Sequence, residues 1–111
     1  MRKDLIIPIY DCKATIVVEG DFESAVDEAG YKYDLKGATG VCLHYPDHPS
    51  NFTILFREGC VSPGAIAHEA FHLTCKIMDV VDIHYDSNEQ EPFAYLIGFI
   101  VDGIHQMLDT E

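Results

Sequence analysis

Apolar positions along this chain follow two periods, one in each half. In the first half they come in short runs of the kind that form strands. Leu5–Tyr10 reads as a strand in which Pro8, lacking an N–H, marks an edge or a bulge. Ala14–Glu19 is rich in β-branched residues and reads as a second strand. Asp21–Ala29 is predicted as a short helix, with Asp21 as its N-cap and Gly30 as the stop just past its end. Gly40–Tyr45 and Phe52–Arg57 are two further strands around the turn sequence Pro46-Asp47-His48-Pro49-Ser50-Asn51, so residues 40–57 read as a hairpin. In the second half the period changes to that of a helix. Ser62-Pro63 is an N-cap followed by Pro at the first helical position, and Ile66, Ala70, Leu73 and Ile77 then recur as one stripe. That helix fades near Val81, Asp82–Ser87 is a polar loop, and a last helix runs from about Asn88 to Met107 with Phe93, Leu96, Ile97, Ile100, Ile104 and Met107 inward. The predicted order is ββαββαα, an α+β class domain whose short antiparallel or mixed sheet packs on the two C-terminal helices.

The 111 residues fit one domain, 1–111, large enough for a single core without obligatory disulfides or metals. Seven basic against nineteen acidic residues leave a net charge of −12, with no basic stripe to track phosphates. Nucleic acid and anionic membrane surfaces are therefore not expected as partners, whereas cations, metal ions among them, are favoured. The longest apolar stretches, near Leu96–Val101, fall far short of the ~20 residues of a membrane span. The start of the chain carries no export signal, so a cytoplasmic location is expected. Cys12, Cys42, Cys60 and Cys75 form no CxxC pair and read as reduced, mostly buried thiols.

The segment that changes the picture is His68-Glu69-Ala70-Phe71-His72. Histidines at i and i+4 project from one helix face, one turn apart, and can present two ring nitrogens to one zinc ion. Glu69 stands beside them, placed to take a proton from a metal-bound water. With six His and eight Glu in the chain, composition alone predicts about 0.02 occurrences of this pattern. Two ligands are too few for a catalytic zinc, which usually has three besides water. Glu91, eighteen intervening residues after His72, is the preferred third ligand, on the expectation that antiparallel helices bring it back past the histidines. Glu89, Asp79 and Asp82 are the alternatives. Glu91 has a second reading as the partner of Asn88 in a capping box. Tyr95 continues the Glu91 face together with Gly98 and Asp102, and Gly98 is expected to allow a close helix–helix approach. A hydrolase also needs a donor for the developing oxyanion. Tyr95, His84 and Tyr85 are the candidates, Tyr95 also reading as core. Asp79 and Asp102 are candidates for orienting the histidines, and Cys75 reads as a small core residue. His44, His48 and His105 have no partner at metal spacing.

His68-Glu69-x-x-His72 followed by Glu91 resembles the gluzincin class of zinc metallopeptidases. Within that class it is most similar to the minimal peptidase-like domains of phages and mobile elements, whose second motif looks like Glu91-Pro92-Phe93-Ala94-Tyr95. The resemblance covers residues 62–95. It implies a small zincin-like fold, Zn²⁺ held by His68, His72 and Glu91, and Glu69 as general base. It also implies that Phe52–Arg57 is the edge strand along which an extended peptide would pair. The larger second subdomain of such enzymes has no counterpart in a chain of this length.

Two functions follow as expectations. One is a small zinc-dependent metallohydrolase, a peptidase whose substrate is a basic or extended protein segment. The other is a catalytically inactive zinc-binding regulatory or interaction module of phage or mobile-element origin. A metal-free interaction domain is a third. Exposed strand edges favour self-association, but the oligomeric state is not set by the sequence.

Overall fold

A computed structural model describes residues 1–28, 30, 37–45 and 47–109. Its elements are β1 (Arg2–Ile7), β2 (Cys12–Glu19), α1 (Phe22–Glu28), β3 (Gly40–His44), β4 (Asn51–Arg57), α2 (Pro63–Val80) and α3 (Glu91–Asp109), in the predicted ββαββαα order. The four strands form one mixed sheet in the order β1-β2-β4-β3. β1 and β2 pair antiparallel, as do β3 and β4, while β2 and β4 run parallel at the centre.

The helices lie on both faces of this sheet. On one face, Ile66, Ala70, Leu73 and Ile77 of α2 and Leu96, Ile100 and Ile104 of α3 pack on Leu5, Ile7, Ala14, Ile16, Phe52, Ile54 and Phe56. On the other, α1 lays Phe22 and Val26 against Val17, Leu43 and Leu55. The inward stripes expected of α2 and α3 are thus observed, although Phe93, Ile97 and Met107 are only half-buried. The two-sided burial explains why β2 reads as a run of β-branched residues and not as an alternation: Ala14 through Val17 are all buried. Thr15 keeps its hydroxyl satisfied by donating to Asp4 Oδ1 at 2.8 Å.

Local chemistry sets the element ends. β1 stops at Ile7, short of the expected Tyr10, because Pro8 opens a 3₁₀ turn over Pro8–Tyr10, which Asp11 closes in the left-handed region at φ 49°. In α1 the Asp21 carboxylate accepts from the Ser24 N–H at 3.4 Å, and Gly30 takes φ 87°, as an N-cap and a C-terminal stop should. Ala29, the last residue expected in that helix, and Pro46 lie outside the described residues. α2 starts as expected, with Ser62 Oγ accepting from the Ala65 N–H at 3.0 Å. α3 starts three residues later than expected, at Glu91. The Asn88 N–H is bound by Asp86 Oδ1 at 2.9 Å, so Asp86 organises a turn there, and Pro92 falls in the first helical turn, where its missing N–H costs nothing. The Asn88–Glu91 capping box is not formed.

One expected close approach is also relocated. A Cβ built on Gly98 meets nothing within 4 Å, whereas one on Gly103 would lie 2.6 Å from Leu5 Cδ1. Gly103, not Gly98, is where α3 comes down on its neighbour, and that neighbour is β1. Lys3 fastens the same corner by donating to the Met107 carbonyl at 3.3 Å. Among the described residues, no helix is long and apolar enough to cross a membrane.

Candidate metal site

His68 and His72 sit on the outer face of α2, exposed, with their Nε2 atoms 3.2 Å apart. Two ligand atoms each 2.0–2.1 Å from one tetrahedral zinc stand roughly 3.3–3.4 Å apart, so the ring pair already has the spacing of two corners of such a site. In neutral rings one Nε2–H donates to the other nitrogen. A shared cation would replace that proton. Burial, with the charges of His68 and Lys76 as smaller causes, holds the His72 ring below the usual imidazole range, which favours the neutral form that ligates metals.

Glu69 occupies the next position around the helix, and its surroundings differ sharply. At 100° per residue it falls between the outward His68 and the inward Leu73, and it is 2% exposed. Its Oε2 lies 4.0 Å from His68 Nε2. Burial pushes the carboxyl above the ordinary value for Glu, with the nearby His68 pulling the other way. The pocket that takes it is made by the first residue of β3. A Cβ on Gly40 would be 3.3 Å from both Glu69 Cγ and Oε2, and 3.0 Å from the Leu55 carbonyl oxygen. Cys42, two residues along the same strand face, packs against the same core, and its thiol is pushed up to about 12, chiefly by burial.

The edge strand beside this site is β3. Phe52–Arg57 was the expected edge, but β4 is hydrogen-bonded to β2 on one side and to β3 on the other, so it has no free side for a peptide. The reason lies in topology: β2 and β4 pair in parallel, which takes the β3–β4 hairpin into the sheet with β3 outermost.

Glu91 and Tyr95 differ from Glu69 in their surroundings. Glu91 is the first residue of α3 and is exposed, and Tyr95 is 76% exposed. Tyr95 is therefore not core. It lines an apolar cavity of about 660 Å³ together with Ile7, Pro8, Ile9, Pro92 and Phe99. Gly98 and Asp102, on the same helical face, are exposed as well. Among the described residues, no group of three His, Cys, Asp or Glu side chains converges as a metal-binding set.

The remaining candidates are scattered. His84 Nε2 lies 3.2 Å from Asp82 Oδ1 in the loop after α2, both side chains being largely in solvent. Tyr85 is exposed and sets its ring edge-on against Phe93. Glu89 and Asp79 are exposed, and no hydrogen bond among the described residues ties Asp79 or Asp102 to either histidine. Cys75 is half-buried. His44 stacks on Phe52 with ring centroids 4.5 Å apart, His48 is in the exposed turn and His105 is half-buried on α3. All four cysteines are free and half-buried. Gly40 is the residue that the sequence reading left without a role. Its only signal there is a glycine at the first position of a strand.

Comparison with protein-family models, with curated proteins and with solved structures gives no match for this chain.

Proposed function

We propose that this chain is a zinc-dependent metallohydrolase that cleaves peptide bonds. The observation that carries the reading is the 3.2 Å spacing of His68 and His72 Nε2, with the buried Glu69 carboxyl 4.0 Å from the first of them. A zinc ion at the pair would lower the pKa of a bound water and polarise the scissile carbonyl. Glu69, buried on one side of the rings, is placed to accept the water proton and to return it to the leaving amine. Its raised pKa makes the carboxylate a stronger proton acceptor than a solvent-exposed Glu. An extended substrate segment would add to β3, the outermost strand of the sheet among the described residues. With a net charge of −12, the chain favours a basic segment.

The reading assigns Glu91 as third ligand, in keeping with the gluzincin resemblance and a zincin-like fold, and sets the protein in the cytoplasm. The outward position of Glu91 on α3 favours a second reading, a zinc-binding regulatory module that does not turn over. Metal stoichiometry separates the possibilities. Protein purified without a His-rich tag should carry near one zinc per chain, and Glu91→Ala should lose it or bind it far more weakly. No uptake on titration ends the metal reading. Zinc retained by Glu91→Ala moves the third ligand to Glu89, Asp79 or Asp82. Hydrolysis of an internally quenched peptide library by the zinc form, absent in Glu69→Gln, distinguishes an enzyme from a binding module.

A further inference from the structure

We infer that Gly40 is a positioning residue for Glu69: the side chain it lacks is the space in which the Glu69 carboxyl is held against the start of the edge strand. The inference rests on the metallohydrolase reading. Gly40 is an ordinary strand residue in its backbone, without the left-handed φ seen at Gly30, Gly37 and Gly59, so conformational freedom does not call for glycine here. Space does. The Cβ of any other residue would sit 3.3 Å from Glu69 Cγ and 3.3 Å from Oε2, and 3.0 Å from the Leu55 carbonyl oxygen. That oxygen belongs to a central strand, so its contact is relieved only by a shift of residue 40, whereas the contact with Glu69 is relieved when the carboxyl, the end of a flexible side chain, moves.

The direction of that movement matters. Glu69 is hemmed in by the sheet below and has His68 Nε2 at 4.0 Å. A methyl group on residue 40 pushes the carboxyl away from β3, the strand beside which a peptide would lie. The two histidines are exposed on α2, and neither supplies any of the three atoms nearest a Cβ on residue 40, so their spacing should be unaffected. Gly40→Ala should therefore leave metal binding intact and impair the proton-transfer step, a combination that a general loss of fold does not produce.

The experiment has two parts. Urea unfolding of the wild type, Gly40→Ala, Glu69→Ala and the double variant reads the contact itself, whatever the protein does. The destabilisation caused by Gly40→Ala should be roughly tenfold smaller in the folding equilibrium when Glu69 has been truncated, because the contact with the Leu55 carbonyl is common to both backgrounds and cancels. Co²⁺ titration and hydrolysis of a quenched peptide taken from the library then read the role. Gly40→Ala should bind Co²⁺ like the wild type and show a kcat about a hundredfold lower with KM little changed. Additive unfolding effects would overturn the inference, since the methyl group would then not meet Glu69. Coupled unfolding with an unchanged kcat would also overturn it, leaving Gly40 a packing residue only. If the wild type takes up no Co²⁺, the metal reading fails and the positioning role falls with it, while the unfolding cycle still reports on the contact.

Discussion

The middle of α2 and the start of α3 each carry a glutamate that the sequence places at one expected site, Glu69 as base and Glu91 as metal ligand, and the fold treats them oppositely. Glu69 is enclosed between its helix and the first residue of β3, in a region braced by Ile66, Ala70, Leu73 and Ile77 below. Glu91 stands in solvent where α3 emerges from the 81–90 loop, on a face that continues through Tyr95, Gly98 and Asp102 without burial. A residue at the boundary of a packed stripe is held by what surrounds it. One opposite the stripe is held only by its own helix. The difference teaches that a metal motif gains its geometry from where it falls relative to the apolar stripe, not from residue type alone.

The sharpest test of this contrast is chemical. Glu69→Gln should lower peptide hydrolysis by about 10²–10⁴-fold or more while zinc content, measured by elemental analysis, stays near that of the wild type. Glu91→Ala should act the other way, through metal content first. If both variants lose zinc equally, the two acids are equivalent and the contrast fails. Stability gives the next largest effect. Ile100→Ala, on the inner face of α3, should cost about 2–5 kcal/mol in urea unfolding, whereas Tyr95→Ser on the outer face should stay within about 0.5 kcal/mol.

A finer comparison uses the two glycines of α3. Gly103→Ala should cost about 1–3 kcal/mol because its methyl group would meet Leu5, while Gly98→Ala, with open space around it, should stabilise by up to ~1 kcal/mol through helix propensity. Equal effects would mean that α3 does not approach β1 at Gly103. The smallest effect is sought far from both regions. Hydrogen bonding from Thr15, followed by the attraction of Lys13, holds the Asp4 carboxyl below its ordinary value. A carboxyl whose folded pKa is depressed stabilises above its unfolded value near 4 and loses that contribution as pH falls through the folded value. Thr15→Val should flatten the acid limb of the stability–pH curve, and an unchanged limb would remove Asp4 from that account.

Much of the fold could be read from the residues because the readable signals were strong and local. Ser62-Pro63 announces the start of α2, the Ile66–Ile77 stripe its inner face, and Gly30 the end of α1. Pairing was less accessible. Nothing in Phe52–Arg57 distinguishes an edge strand from one flanked on both sides, since that depends on β2 choosing β4 as its parallel neighbour. Of the site, the His68–Glu69–His72 unit was legible because it lies within one helix. The outward position of Glu91 is legible too, once its place is counted against the apolar stripe of α3. The inward Ile100 lies nine positions after Glu91, which is two and a half turns, the opposite side of the helix. Gly40 was not legible, because its partner Glu69 lies on another element and a glycine at a strand start has many possible reasons.

The parallel pairing of β2 with β4 has a kinetic consequence. β1–β2 and β3–β4 are both antiparallel pairs of neighbours in the chain, so each can zip up from a nearby turn. Joining them requires the segment between Glu19 and Asn51 to close on itself first, an entropic loss that no local contact offsets. The residues that meet at that closure are Val17 from one hairpin, Leu43 and Leu55 from the other, and Phe22 and Val26 of α1 between them. This small cluster lies on one face of the seam where the two hairpins join into one sheet. Truncating it should slow folding more than truncating the larger cluster beneath α2 and α3.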